Sequence, residues 1–172
     1  MATVSGAPSS TVRLPPSALS MRLLIVKPSS LGDVVHALPA VACLRRRFPD
    51  ARISWLINDT LASVLRDCPV VDEIIEFPRQ RFGRWREAPA FCRFLAGLRA
   101  RQFDLVLDLQ GLLRSGVIAR ATQAPRRVGL SDAREGARLF YTETVPVRRV
   151  HAVDRYLAAA AHLGGEPAPV EF

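Results

Sequence analysis

The sequence predicts an α/β protein in which a Rossmann-like parallel sheet is flanked by helices. Short apolar runs of strand length alternate along the chain with longer segments of helical periodicity. Strands separated by helices of about ten residues or more pair in parallel through right-handed crossovers. With 172 residues, of which 49% are hydrophobic, the chain is long enough to bury one such core.

The predicted elements alternate in order from Met21 onwards. Apolar and β-branched runs predict strands at 22–26, 53–57, 73–77, 104–109 and 126–129. Apolar residues three and four positions apart predict helices at 33–47, 59–66, 87–101, 112–121 and 151–163. Because the strands are parallel, their carboxyl ends share one edge of the sheet, which is where α/β proteins bind ligands.

Two terminal segments are expected to lie outside this domain. Residues 1–20 are rich in Ser, Pro, Ala and Thr without periodicity, and we interpret them as a disordered leader. The last predicted helix ends at Gly164 and Gly165, and residues 166–172 predict the start of an interdomain linker. The predicted domain therefore spans 21–165, and a second domain is expected to follow it.

The net charge, the hydropathy and the cysteine spacing indicate which partners and which kinds of site the chain can have. The formal net charge is +8, with 23 Arg and a single Lys, which predicts anionic partners such as phosphorylated substrates, an anionic membrane surface or nucleic acid. No apolar run approaches the roughly 18 residues of a membrane span. The three cysteines form no CxxC pair, so the sequence predicts neither a disulfide framework nor a metal site.

The first candidate site follows the first predicted strand. The turn Lys27-Pro-Ser-Ser-Leu-Gly-Asp33 leads into a helix, and Asp33 is close to the positive end of that helix. An ionised carboxylate there can accept a proton from a bound hydroxyl, and Gly32 leaves room for a substrate. The alternative is structural, because Ser30 and Asp33 have the spacing of a capping box.

The second candidate site follows the fourth predicted strand. Asp108, Gln110 and Gly111 come at or just past its carboxyl end, and we expect their polar groups to face the same crevice as Asp33. The alternative is a turn with a helix cap.

The third candidate site is a basic segment with interleaved aromatic residues. Between 79 and 101 there are seven arginines and one acidic residue, Glu87, with Phe82 and Trp85 among them. Guanidinium groups bind phosphate or carboxylate in a bidentate manner. The alternatives are a solvated basic helix face or a nucleic-acid surface, although no nucleic-acid-binding motif accompanies the segment.

Together, these motifs resemble the lipopolysaccharide heptosyltransferases of glycosyltransferase family 9. The resemblance rests on four stretches in the family's order, together with the Trp/Arg-rich loop: 25–39, 108–115, 133–141 and 151–155. It covers essentially all of 21–165 and implies the N-terminal half of a GT-B fold, in which two Rossmann-like domains face a cleft.

The resemblance also implies a reaction and roles for individual residues. Family members transfer L-glycero-D-manno-heptose from ADP-heptose to the acidic sugar Kdo of the lipopolysaccharide inner core, with inversion and without a metal or other cofactor. The aspartate matching Asp33 is the catalytic base. The resemblance and the basic surface assign acceptor binding to Lys27, Ser29, Ser30, Gly32, Arg79, Arg81, Arg84, Arg86, Gln110, Gly111, Arg134 and Arg155.

The resemblance implies a place in the cell and leaves alternatives open. The lipid-linked acceptor implies peripheral contact with the cytoplasmic face of the inner membrane through the basic loop. The donor is held mainly by the second domain, so the chain alone is expected to be inactive. The alternatives are a transferase for another sugar, a non-catalytic module that binds an anionic glycolipid, or a nucleic-acid binder.

Overall fold

The computed structural model describes residues 21–83, 85–147 and 151–166. The predicted leader at 1–20, Arg84 and all but the first residue of the predicted linker at 166–172 lie outside the described residues. Within the described chain, no helix has both the length and the hydrophobicity needed to cross a bilayer.

The prediction of a parallel sheet flanked by helices is confirmed. The six strands are β1 (Arg22–Val26), β2 (Arg52–Asn58), β3 (Glu73–Phe77), β4 (Leu105–Asp108), β5 (Arg126–Leu130) and β6 (Glu143–Val145). They are ordered β3-β2-β1-β4-β5-β6, and every pairing between neighbours is parallel. The α-helices are α1 (Leu31–Arg47), α2 (Ala88–Ala100), α3 (Leu113–Ala121) and α4 (Ala152–His162).

Helices cover both faces of the sheet, as the apolar strands require. Leu23 and Ile25 of β1 face a core that includes buried residues of α1 and α4. Leu24 and Val26 face the opposite core, which includes buried residues of α2 and α3. Alternate residues of one strand therefore serve two separate hydrophobic layers.

The strand order places a crevice between β1 and β4. From β1 the chain crosses over to β2 on one side, and from β4 it crosses to β5 on the other. Neighbouring strands whose crossovers leave in opposite directions form a topological switch point, where the following loops separate and leave room for a ligand. The loops after β1 and β4 carry the first two candidate sites.

Two elements differ from the sequence prediction. The segment predicted as a helix at 59–66 is a 3₁₀ helix, Asp59–Leu65, because Thr60, Ser63 and Val64 are weak helix formers in a short stretch. The strand β6 was not predicted, because three residues are too few to show alternation.

The half-buried Glu73 at the start of β3 is expected to make the stability of the fold depend on pH. Burial opposes the charged form of Glu73, but the hydrogen bond and charge of Arg101 outweigh it and lower the pKa of Glu73. A lowered folded-state pKa contributes stability that is complete above the ordinary carboxyl pKa and is lost as pH falls towards the folded value. We therefore expect urea unfolding to show a loss of stability below about pH 4.5 that is smaller in Glu73→Gln. An equal loss in both proteins would contradict this assignment.

Candidate active site

The candidate site is a cleft of about 220 Å³ at the carboxyl ends of β1, β4 and β5. Its wall includes six residues predicted from the sequence: Lys27, Asp33, Gln110, Gly111, Arg134 and Arg155. These residues come from four separate parts of the chain, so only the fold brings them together. Of the polar residues predicted after β4, Gln110 and Gly111 line this cleft. The prediction was wrong for Asp108, which is fully buried at the end of β4 and accepts a hydrogen bond from Tyr141 instead of facing the cleft.

Lys27 lies at the base of the cleft and is only 3% exposed. Its backbone is fixed by the indole N–H of Trp55, which donates to the Lys27 carbonyl at 3.1 Å. Its Nζ donates to Asp33 Oδ2 at 3.3 Å and to Gln110 Oε1 at 3.4 Å, and lies 5.6 Å from the centre of the Tyr156 ring. Burial lowers the pKa of Lys27, although the nearby carboxylate of Asp33 partly opposes this change.

Asp33 occupies the first turn of α1 and contributes to the helix cap. Its Oδ2 accepts hydrogen bonds from the backbone N–H and the hydroxyl of Ser30, at 3.2 and 3.3 Å, and from Lys27. Partial burial favours the neutral form, but the N–H of Ser30 and the charge of Lys27 outweigh it and lower the pKa of Asp33. The carboxylate is therefore ionised at neutral pH.

The capping role does not exclude a chemical role for Asp33. Its side chain is 38% exposed, and the three donors from the described residues all bond to Oδ2. The other oxygen, Oδ1, is left for a hydroxyl of a ligand in the cleft. The same side chain can therefore both cap the helix and accept a proton, so the structural and the chemical interpretation of Asp33 are compatible.

The loop after β4 closes the other side of the cleft. The side-chain oxygen of Gln110 accepts from Lys27 and from the backbone N–H of Ser29, both at 3.4 Å. Gly111 adopts a φ of +69°, and a Cβ there would lie 3.3 Å from Ala133. This backbone conformation explains why a glycine occupies the position.

The basic residues divide into two groups. Arg134 and Arg155 line the cleft, and Arg155 forms an ion pair with Asp132 at 2.7 Å. Arg79 lies beyond the cleft and its Nη1 donates to the hydroxyl of Ser29 at 3.4 Å. Arg81 is paired with Glu87 at 2.8 Å.

Three other predicted residues do not line the cleft or lie outside the described residues. Arg86 is exposed and does not line the cleft, and Arg84 lies outside the described residues. Gly32 is exposed in the first turn of α1, and a Cβ there would meet no atom within 4 Å. The space beside Gly32 is therefore open, but Gly32 is not among the residues that line the cleft.

Two polar residues of the cleft, Asp132 and Tyr156, were missed by sequence reasoning. Asp132 follows β5, so the rule that selected the residues after β1 and β4 could have found it. Tyr156 lies next to the predicted Arg155 and lines the same cleft. Nothing in its local sequence distinguishes it from a core aromatic residue of α4. Among the described residues, no group of three or more His, Cys, Asp or Glu side chains is arranged to hold a metal.

Replacement of Lys27 should shift the titration of Asp33. In Lys27→Met the ammonium group 3.3 Å from the carboxylate is lost, so we expect the pKa of Asp33 to rise towards its ordinary value. Carbon-13 NMR titration of the Asp33 carboxyl measures this change. Lys27→Arg keeps the positive charge and serves as the control. An unchanged value in Lys27→Met would mean that the Ser30 backbone alone holds the carboxylate ionised.

Comparison with known proteins identifies the family. The family model described as glycosyltransferase family 9 (heptosyltransferase) matches residues 91–172. Lipopolysaccharide heptosyltransferase 1 of Pseudomonas aeruginosa is 36% identical over 149 residues, covering 78% of this chain and 40% of the relative. The Salmonella typhimurium enzyme of the same name is 34% identical over 143 residues, covering 78% of this chain and 45% of the relative.

Solved structures agree with the sequence comparison. The E. coli heptosyltransferase WaaC with ADP-2-deoxy-2-fluoro heptose superposes with a TM-score of 0.75 and 31% identity, covering 88% of this chain and 51% of that chain. This chain thus spans about half the length of the proteins that it matches. The sheet order, the cleft and these similarities lead to one conclusion: the chain belongs to glycosyltransferase family 9.

Proposed function

We propose that this chain is the acceptor-binding half of a heptosyltransferase. In this proposal the whole enzyme transfers L-glycero-D-manno-heptose from ADP-heptose to a Kdo sugar of the lipopolysaccharide inner core. The observation that carries the proposal is the carboxylate of Asp33, which lines the open cleft, has a lowered pKa and accepts its three hydrogen bonds from the described residues at Oδ2. The names of the relatives support the choice of reaction.

The proposed chemistry is a single displacement with inversion. A hydroxyl oxygen of Kdo bonds to the anomeric carbon of the heptose, while the bond between that carbon and the phosphate oxygen of ADP breaks. The proton of the hydroxyl passes to Oδ1 of Asp33, and ADP leaves with the electron pair. Lys27 and Ser30 hold the opposite oxygen of the carboxylate, so the base is oriented before the acceptor binds.

The acceptor is bound in this proposal by the cleft's own polar groups. The carboxylate of Kdo is matched by the guanidinium groups of Arg134 and Arg155, which line the cleft beside Gln110. Arg79 extends the positive surface past Ser29 towards further anionic groups of the acceptor. Ser29 and Ser30 do not line the cleft themselves, but their backbone N–H groups donate to the cleft residues Gln110 and Asp33.

The proposal includes the place of action and the absence of a required metal. The enzyme acts at the cytoplasmic face of the inner membrane, where the basic segment contacts anionic lipid. Sedimentation of the protein with vesicles that contain anionic lipid should be reduced by salt, because exposed charges are screened.

We also expect a chelator such as EDTA to leave the rate of heptose transfer unchanged, because the proposed reaction requires no metal.

Sugar transfer by a reconstituted enzyme tests the proposal. The chain is joined to the second half of the Pseudomonas aeruginosa relative, and release of ADP is measured with ADP-heptose and a Kdo-bearing lipid A acceptor. Release of ADP that requires both ADP-heptose and the Kdo-bearing acceptor supports the proposal. Binding of the acceptor without transfer would favour the non-catalytic glycolipid module. Transfer from another nucleotide sugar alone would favour a different reaction of the family.

A further inference from the structure

Tyr141 lies outside the cleft but is connected to it by hydrogen bonds. Its hydroxyl donates to Oδ2 of Asp108 at 2.7 Å, and its ring lies so close to Gly129 that a Cβ there would be 2.1 Å from it. We propose that Tyr141 is a positioning residue of the cleft, which acts through Asp108 and the backbone of Gln110 and Gly111. Its relevance to turnover rests on the proposed function, whereas the positioning itself is a property of this chain.

Asp108 is the first connection. It is fully buried at the end of β4, and burial raises the pKa of its carboxyl group. Its Oδ1 accepts from the backbone N–H groups of Gln110 and Gly111, at 2.9 and 3.1 Å, and its Oδ2 accepts from Tyr141. Because each oxygen has its own partners, the carboxyl group cannot rotate without breaking a buried hydrogen bond.

The loop backbone is the second connection, and it reaches two residues of the cleft. The side chain of Gln110 accepts from Lys27 at 3.4 Å. The carbonyl of Gly111 accepts from the backbone N–H of Arg134 at 2.8 Å. A displacement of this loop would therefore release Lys27 from one of its partners and move the start of the segment that presents Arg134.

The surroundings of Tyr141 hold it in place from the other side. The carbonyl of Phe140 accepts from Nε of Arg127 at 2.9 Å, and the backbone N–H of Thr142 donates to the Arg127 carbonyl at 2.8 Å. A Cβ on Gly116 would lie 2.9 Å from the Phe140 ring, so α3 is also in close contact with this turn. Tyr141 is thus anchored to β5 and α3, independently of the cleft.

The hydroxyl of Tyr141 acts as a permanent donor. Burial and the neighbouring Asp108 both raise its pKa, so it stays protonated at neutral pH. A purely structural role would predict that loss of this hydroxyl lowers stability without changing the cleft. A positioning role predicts a change at Lys27, which makes no direct contact with Tyr141 among the described residues.

The single lysine of the chain makes that difference measurable. Lysine labelled with carbon-13 at Cε gives one signal, from Lys27. The charged or titratable groups that face it are Asp33 from α1, Asp108 from β4, and Arg155 and Tyr156 from α4. In Tyr141→Phe we expect the loosened loop to admit water, and the pKa of Lys27 to rise towards its ordinary value because burial of the ammonium group is reduced.

Hydrogen exchange of the loop provides the second measurement. We expect the amides of Gln110 and Gly111 to exchange about tenfold faster in Tyr141→Phe, because their acceptor is no longer fixed. The matched control is Thr122→Val, which removes another buried hydroxyl with a hydrogen bond of 2.7 Å, to the carbonyl of Ala119. This control should lower stability without moving the Lys27 signal.

A double-mutant cycle tests the route of the effect. If Tyr141 acts on Lys27 through Gln110, then Tyr141→Phe should move the Lys27 signal much less in a Gln110→Ala background. An unchanged Lys27 signal and titration in Tyr141→Phe would overturn the proposal. It would also be overturned if the shifts of the Lys27 signal caused by Tyr141→Phe and Gln110→Ala simply added in the double mutant. Neither measurement uses heptose transfer, so the positioning role and the proposed function can fail separately.

Discussion

Asp33→Asn in the reconstituted enzyme should lower kcat by a factor of about 10² to 10⁴, the range over which a positioned general base contributes. Asparagine has nearly the same size but cannot take the proton of the acceptor hydroxyl. The charged carboxylate becomes a neutral amide, while the position in the first turn of α1 is kept. We therefore expect the Kd of the acceptor to change much less than kcat.

The control for this variant is a second aspartate at the start of a helical segment. Asp59 begins the 3₁₀ helix Asp59–Leu65, where it accepts from the backbone N–H of Thr60, and it does not line the cleft. Asp59→Asn should leave kcat within about twofold of the native value, as surface substitutions away from a site do. Steady-state kinetics with ADP-heptose measure both variants. A rate in Asp33→Asn above about a tenth of the native rate would exclude the general-base role.

Gly129→Ala should destabilise the chain by about 3 kcal/mol, which combines overpacking with the loss of a buried hydrogen bond. The added Cβ would lie between 2.1 and 2.5 Å from three atoms of the Tyr141 ring, so the ring has to move. Its hydroxyl then leaves Oδ2 of Asp108, which is fully buried. Urea unfolding measures the loss of stability.

Two further variants test that explanation. Gly97 lies within α2, and a Cβ there would meet no atom within 4 Å. Gly97→Ala should therefore increase stability by up to about 1 kcal/mol, because alanine favours a helix more than glycine does. In a Tyr141→Ala background the ring is absent, and Gly129→Ala should cost much less. Equal costs with and without the ring would contradict a steric origin.

The alternation of apolar runs and helical segments was sufficient to predict most of the fold. The five predicted strands and four of the five predicted helices occur at nearly the expected positions. The apolar pattern predicted where a helical segment would occur at 59–66 but not its 3₁₀ geometry, which depends on local packing. Strand β6 is defined by its pairing with β5 rather than by its own residues, and such pairing is not visible in three positions.

The candidate site was predictable where strand ends carry polar residues. Asp33 and Gln110 follow β1 and β4, whose adjacency follows from the topology of a Rossmann-like sheet. The connection from Tyr141 to Asp108 was not predictable, because it depends on the space above Gly129. Nothing in the sequence around Gly129 indicates that an aromatic ring from another part of the chain lies against it. The pairing of Arg101 with Glu73 was missed because the two residues are distant in sequence.

The adjacency of β1 and β4 has a consequence for how the protein folds. Leu23 of β1 pairs with Ile53 of β2, but it also pairs with Leu105 of β4, which lies much further along the chain. Contacts between distant segments form late because closing a long loop costs more entropy. The unit β1-α1-β2 can assemble locally, whereas Lys27 meets Gln110 only after β4 has docked. We therefore expect newly made chains to complete the cleft at a late stage of folding.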